Sequence, residues 1–177
     1  FVALAPDLYH GELAGHTEMD KAGELMTSLP MDRAAQDMSG AVDYLVANES
    51  TSSSTLAAMG FCMGGMLTFV LAALRPDAIS AAVPFYGFPS GDDQPDYSNI
   101  TAKIRGHMAE VDGFFPPEGA ADLEQRLQAA GVDATLTVHP GTGHAFMASH
   151  NALGTQDNDL AARLWPEVHA FIRDTVS

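Results

Sequence analysis

The sequence predicts an α/β chain, a mostly parallel sheet with helices on both faces. Three observations predict it. Short continuous apolar runs at residues 1–5 and 79–85 lack the polar alternation of a half-exposed strand, so they suit strands buried on both faces. Other segments repeat apolar residues every three or four positions, the mark of an amphipathic helix. The two kinds alternate along the chain, as helical crossovers between parallel strands require. With 177 residues, 46% of them hydrophobic, residues 1–177 read as a single domain with room for a core.

Taken in order, residues 1–5 (FVALA) form the first predicted strand, closed by Pro6, and residues 6–17 form a polar, glycine-containing loop. Met31, Ala34, Ala35, Met38, Val42 and Leu45 place a helix over 31–47, and 48–54 is turn chemistry. A second strand covers 55–60 (TLAAMG). The helix that follows runs from Met63 to Leu74 and stops at Arg75-Pro76. A third strand spans 79–85, and 87–99 is a loop with room for a short helix. Then come a fourth strand at 103–109, a helix at 117–130 ended by Gly131, and a fifth strand at 134–139. The last helix spans 157–175, with Leu160, Leu164, Val168, Phe171 and Ile172 on its apolar side.

Acidic residues number 23 against 8 basic ones, a formal net charge of −15. Such a surface repels phosphate backbones and anionic lipid, which argues against nucleic-acid and membrane partners. No apolar run reaches the ~18 residues of a membrane helix, and Lys21 and Lys103 are the only lysines. The expected setting is cytoplasmic, although the sequence opens at Phe1 inside a predicted strand and any leader would lie upstream. Cys62 is the only cysteine, so neither an intramolecular disulfide nor a thiolate metal cluster is available. A lone cysteine commonly just fills a small apolar space, so its surroundings decide.

Those surroundings are Gly60-Phe61-Cys62-Met63-Gly64-Gly65, between a short apolar strand and a helix. A nucleophile elbow needs this arrangement, because the abrupt turn strains the backbone and requires small flanking residues. The turn would lift the thiol above the sheet and set the backbone N–H of Met63 where it could stabilise an oxyanion. A helix N-terminus also favours the thiolate. Of the seven histidines, His107 and His139 lie in predicted strands and His169 in the last helix, where a structural role is the simpler reading. His144 stands in the glycine-rich segment Pro140-Gly141-Thr142-Gly143-His144 just past the fifth strand. Asp112 follows the fourth strand in Ala109-Glu110-Val111-Asp112, with Glu110 as the second choice. Ligands of open α/β sheets bind at the carboxyl ends of the strands, and nucleophile, acid, base is the chain order of α/β-hydrolases. Cys62 would then attack an acyl carbon, His144 would move the proton, and Asp112 would orient the imidazole.

These segments, together with Ala5-Pro6-Asp7-Leu8-Tyr9 and Pro116 shortly after Asp112, resemble the dienelactone hydrolases, and the resemblance covers essentially the whole chain. It implies the α/β-hydrolase fold, N-terminally truncated, and hydrolysis of a carboxylic ester or lactone with no metal or organic cofactor. Members acting on dienelactone hold the substrate carboxylate with two arginines. The matching positions here are Gly11, or its neighbour His10, and Ala148, which points to small neutral esters. Tyr9, Phe85, Tyr86, Phe114, Phe115 and Phe146 sit near predicted strand ends, and of these Tyr9, Phe115 and Phe146 are the candidates to line the substrate pocket. The resemblance also implies that the first strands, the second oxyanion-hole donor and a glutamate that holds the resting cysteine all precede residue 1.

Three rivals stay open. One is a dienelactone hydrolase proper. The others are a redox sensor and a non-catalytic binding relative, neither of which needs Asp112 and His144 in register with the thiol. The His10/His16 and His139/His144 pairs lack the carboxylate spacing of a metal site, and the glycines match no phosphate-binding or dinucleotide loop. The hydrolase fold would also leave an unfilled slot beside residues 55–60. Three remedies are expected: a strand from the rest of the same gene product, a strand donated by another chain (a homo-oligomer included), or direct pairing of residues 1–5 with that strand.

Overall fold

Leu56–Phe61 (β1), Ile79–Phe85 (β2), Lys103–Val111 (β3) and Ala134–Gly143 (β4) form one parallel sheet in the order β1-β2-β3-β4. The structure is a computed structural model that describes residues 1–15, 17–91 and 94–177. Within it the chain groups into two compact units, Phe1–Ser52 and Ser53–Ser177.

The first unit holds two helices, α1 (Met19–Ser28) and α2 (Met31–Ala47). The three- and four-residue spacing foreseen for α2 is realised, with Ala34, Met38 and Val42 buried. The expected strand at 1–5 is not formed. These residues belong to no sheet, and Phe1 and Val2 are largely exposed. A strand has no hydrogen bonds of its own and forms only against a neighbour. Among the described residues β1 pairs with β2 alone, so the expected direct pairing of residues 1–5 with β1 is not formed.

The second unit carries the sheet and three helices. Helix α3 (Met63–Leu74) lies against β1 and β2, and α4 (Pro117–Ala129) against β3 and β4. Alternation along β2 points Val83 and Phe85 to the same face, where they join Ala109 and the buried Leu160, Leu164 and Val168 of α5 (Asn158–Thr175) in one core cluster. A single 3-10 turn, Tyr97–Asn99, interrupts the loop after β2, as the room left there allowed. Asp92 and Asp93, within that loop, and His16 lie outside the described residues.

Strand β4 runs four residues past the expected end, through Pro140 to Gly143. Proline cannot donate to a ladder and is tolerated at edges and bulges. Here β4 is an edge strand, and its pairing with β3 shifts register between Ala109 and Val111. After that shift Val111 is paired with Gly143, so the next residues in each strand, Asp112 and His144, leave the sheet side by side. Among the described residues no helix is long and apolar enough to cross a membrane.

Candidate active site

The turn from β1 into α3 is made at Cys62, whose backbone sits at φ 56°, ψ −121°. Positive φ is costly for a residue with a Cβ, and the neighbours hold the strain in place. A Cβ on Gly60 would lie 2.0 Å from the Gly64 carbonyl oxygen, and one on Gly87 would lie 1.8 Å from the Cys62 carbonyl oxygen. The Cys62 N–H donates to the Phe85 carbonyl at 3.0 Å, and the Cys62 carbonyl accepts from Gly65 and Met66. Met63 is the first residue of α3, where backbone N–H groups have no acceptor within the helix. The thiol is partly exposed and carries no disulfide.

His144 and Asp112 are both buried, and His144 Nδ1 lies 2.8 Å from Asp112 Oδ2. The second carboxylate oxygen, Oδ1, accepts the N–H groups of Phe114 and Phe115 at 2.8 and 3.0 Å. Both oxygens are therefore occupied and the carboxylate is fixed in orientation. Burial works against a charge on His144, but the interactions of the imidazole with Cys62 and Asp112 outweigh it and raise its pKa. The imidazole is thus hydrogen-bonded to a buried carboxylate and acted on electrostatically by the elbow thiol. Glu110, the second-choice acid, is engaged elsewhere, accepting the Gly141 N–H at 2.8 Å.

Aromatic rings surround the imidazole. Phe115 stacks on it at 5.9 Å, Phe114 lies tilted at 4.9 Å, and Tyr86 stands edge-on at 5.2 Å. Phe114 is largely solvent-exposed and Phe146 is fully buried. The expectation for Phe146 is corrected accordingly, since its ring packs in the core against Tyr86 and His139 and cannot face a substrate. Tyr9 belongs to the first unit, where it lines a cavity with His10, Leu25, Pro30 and Arg33.

The other described histidines have structural partners. His107 Nδ1 and His139 Nε2 are 3.1 Å apart with stacked rings, and burial pulls the His107 pKa down to about 4. His10 pairs with Asp37 and His169 lies against Trp165. Among the described residues no group of three or more His, Cys, Asp or Glu side chains could hold a metal ion.

The model of the Dienelactone hydrolase family matches residues 1–176. The chain belongs to the dienelactone hydrolase family. This dienelactone hydrolase family member is 37% identical over 177 residues to "Protein usf" of Aquifex pyrophilus, covering 98% of this chain and 75% of that one. It is 34% identical over 150 residues to the "Putative carboxymethylenebutenolidase" of Aquifex aeolicus (strain VF5), covering 83% of this chain but only 64% of the relative. The crystal structure of a "Putative Dienelactone Hydrolase" from Klebsiella pneumoniae superposes with a TM-score of 0.80 at 25% identity, over 95% of this chain and 73% of that one. The sheet with its packed helices is thus the α/β-hydrolase fold, as the order of the motifs predicted.

Two residues of this family member's site escaped sequence reading. The Thr155 hydroxyl donates to the His144 carbonyl, and no local motif marks a threonine eleven positions downstream. Tyr86 was legible only as one aromatic among several near strand ends, and its contact with His144 depends on the pairing of the strands.

Proposed function

We propose that the protein hydrolyses small neutral carboxylic esters or lactones through Cys62, His144 and Asp112. The observation that carries this reading is the buried hydrogen bond between His144 and Asp112, where β3 and β4 end beside each other. Cys62, on a strained strand-to-helix turn, acts on the same imidazole. In the first half-reaction the Cys62 sulfur, having given its proton to His144, attacks the acyl carbon, and the carbonyl oxygen becomes an oxyanion within reach of the Met63 N–H. The tetrahedral intermediate collapses as the C–O bond breaks, and the alcohol leaves with the proton held by His144. Water then attacks the acyl-cysteine while His144 takes its proton, and the carboxylic acid departs as Cys62 is regenerated. Asp112 keeps Nδ1 protonated and stabilises the imidazolium in both halves.

The preference for neutral substrates rests on Gly11 and Ala148 occupying the sequence positions where the family resemblance implies two arginines, and on the net charge of −15. The names of the Aquifex aeolicus relative and others favour a second reading, a lactone that carries a carboxylate. Kinetics on a short-chain nitrophenyl ester and on an anionic lactone separate the two. Cys62→Ala should abolish turnover of both, and His144→Ala should cost at least ~10³-fold in kcat. Retained turnover in Cys62→Ala would sink the proposal, and a wild-type preference for the anionic lactone would establish the second reading instead.

A further inference from the structure

Each of the four strands ends one residue before a side chain of the same cluster. β1 ends at Phe61 before Cys62, β2 at Phe85 before Tyr86, β3 at Val111 before Asp112, and β4 at Gly143 before His144. Three of those four have a role in the proposed mechanism, and Tyr86 does not. We propose that Tyr86 is a positioning residue that ties the loop carrying His144 to the elbow carrying Cys62; its kinetic consequence rests on the triad reading above.

The backbone of Tyr86 is held by the elbow side. Its φ is 34°, in the left-handed region, although it is neither glycine nor exposed. A strain of this kind persists only where the surroundings over-determine it. Those surroundings are the adjacent elements. The Tyr86 N–H donates to the His107 carbonyl at 2.8 Å, the preceding carbonyl of Phe85 accepts the Cys62 N–H, and the following Gly87 is pressed against the Cys62 carbonyl.

The side chain reaches the other partner. The ring meets the imidazole edge-on at 5.2 Å and Phe146 edge-on at 5.0 Å, and Met147 packs against the same buried cluster. Residues 144 and 146 of one loop are thus both held by a single ring whose backbone is fixed at the elbow. Edge-to-face ring pairs hold one another beyond the area they bury, so the ring is the link.

Tyr86→Leu keeps a large apolar side chain and removes the ring. On a short-chain nitrophenyl ester, kcat should fall about tenfold with KM unchanged, the effect of a small misplacement of a catalytic group. Followed by NMR, the titration of the His144 imidazole should move down toward that of an ordinary histidine as its contacts loosen. Tyr86→Gly, which relieves the positive φ but removes the whole side chain, should lose at least as much activity. A Tyr86→Leu protein with wild-type kcat and an unmoved His144 titration overturns the proposal, whatever its melting temperature. The imidazole titration does not depend on ester turnover. Activity surviving in Cys62→Ala would therefore count against the triad reading while the Tyr86→Leu titration still decided the role of Tyr86.

Discussion

Cys62 holds a backbone conformation that few side-chain-bearing residues adopt, and two glycines make room for it. A Cβ at Gly87 would meet the Cys62 carbonyl oxygen, a backbone atom that is itself bonded to Gly65 and Met66 and cannot retreat. Gly87→Ala is therefore expected to cost more than about 3 kcal/mol, the range reserved for changes at strained backbone sites and for overpacking. Thermal unfolding would register it, and so would the rate of Cys62 alkylation, since any protein that folds must displace the elbow. Cys62, Asp112 and His144 were legible because each sits in a short segment whose chemistry is local: a glycine-flanked turn, an acid at a strand end, a histidine in a glycine-rich stretch. Thr155 and Tyr86 were not, because their importance comes from which carbonyl or ring lies opposite them. His144 also has a signature in solution. Its pKa is raised in the folded protein, so the stabilisation from its contacts is complete below the ordinary histidine value near ~6.5 and fades as pH rises through the folded value. The melting temperature of His144→Gln should accordingly lack that alkaline-side decline.

At the level of elements, the register between β3 and β4 does the placing. Sequence patterning located both strands but ended β4 at 139, because Pro140 and two glycines read as the end of a strand. The bulge between Ala109 and Val111 absorbs the proline and lets pairing resume at Val111 and Gly143. Helix α1 went unforeseen for a different reason. Its apolar positions, Met19, Ala22, Leu25 and Met26, span barely two turns, none of its residues is buried, and the hydroxyls of Thr27 and Ser28 turn back onto carbonyls of the preceding turn. The strand predicted at 1–5 shows the converse, an apolar run with strand composition and no ladder to join. Between the strands, the buried His107, stacked on Phe85, pairs with the half-buried His139. Glu167, Arg163 and Asp157 also act on His139. Burial depresses both histidines, and their stabilising effect is present above ~6.5 and is lost as pH falls toward the His107 value of about 4. Replacing His107 by Phe should flatten the fall in melting temperature between pH 6.5 and 4. An unchanged acid limb would show that other groups govern acid unfolding.

For the whole molecule, a formal charge of −15 on 177 residues sets how it responds to its medium. Self-repulsion weakens once the Debye length falls to ~10 Å at 0.1 M salt and below that at higher salt. Melting temperature is expected to rise from low salt to several hundred millimolar. KM for an anionic ester should fall over the same range, while KM for a neutral ester of equal size stays flat. Parallel behaviour of the two esters would show that the acidic field plays no part in choosing substrate.

The sheet also gives its unit two unlike ends. All four strands run the same way, and the reactive side chains gather where they finish. Of the two lysines in the sequence, Lys103 is exposed at the opposite end, as the first residue of the nine in β3. At ~3.3 Å per residue, β3 alone sets it roughly 26 Å from Val111. An amine-reactive bead or dye coupled there, in a Lys21→Arg protein whose α-amino group is blocked, would grip the unit by that end, away from Cys62. The chain thus carries a natural handle for immobilisation, placed by strand direction alone.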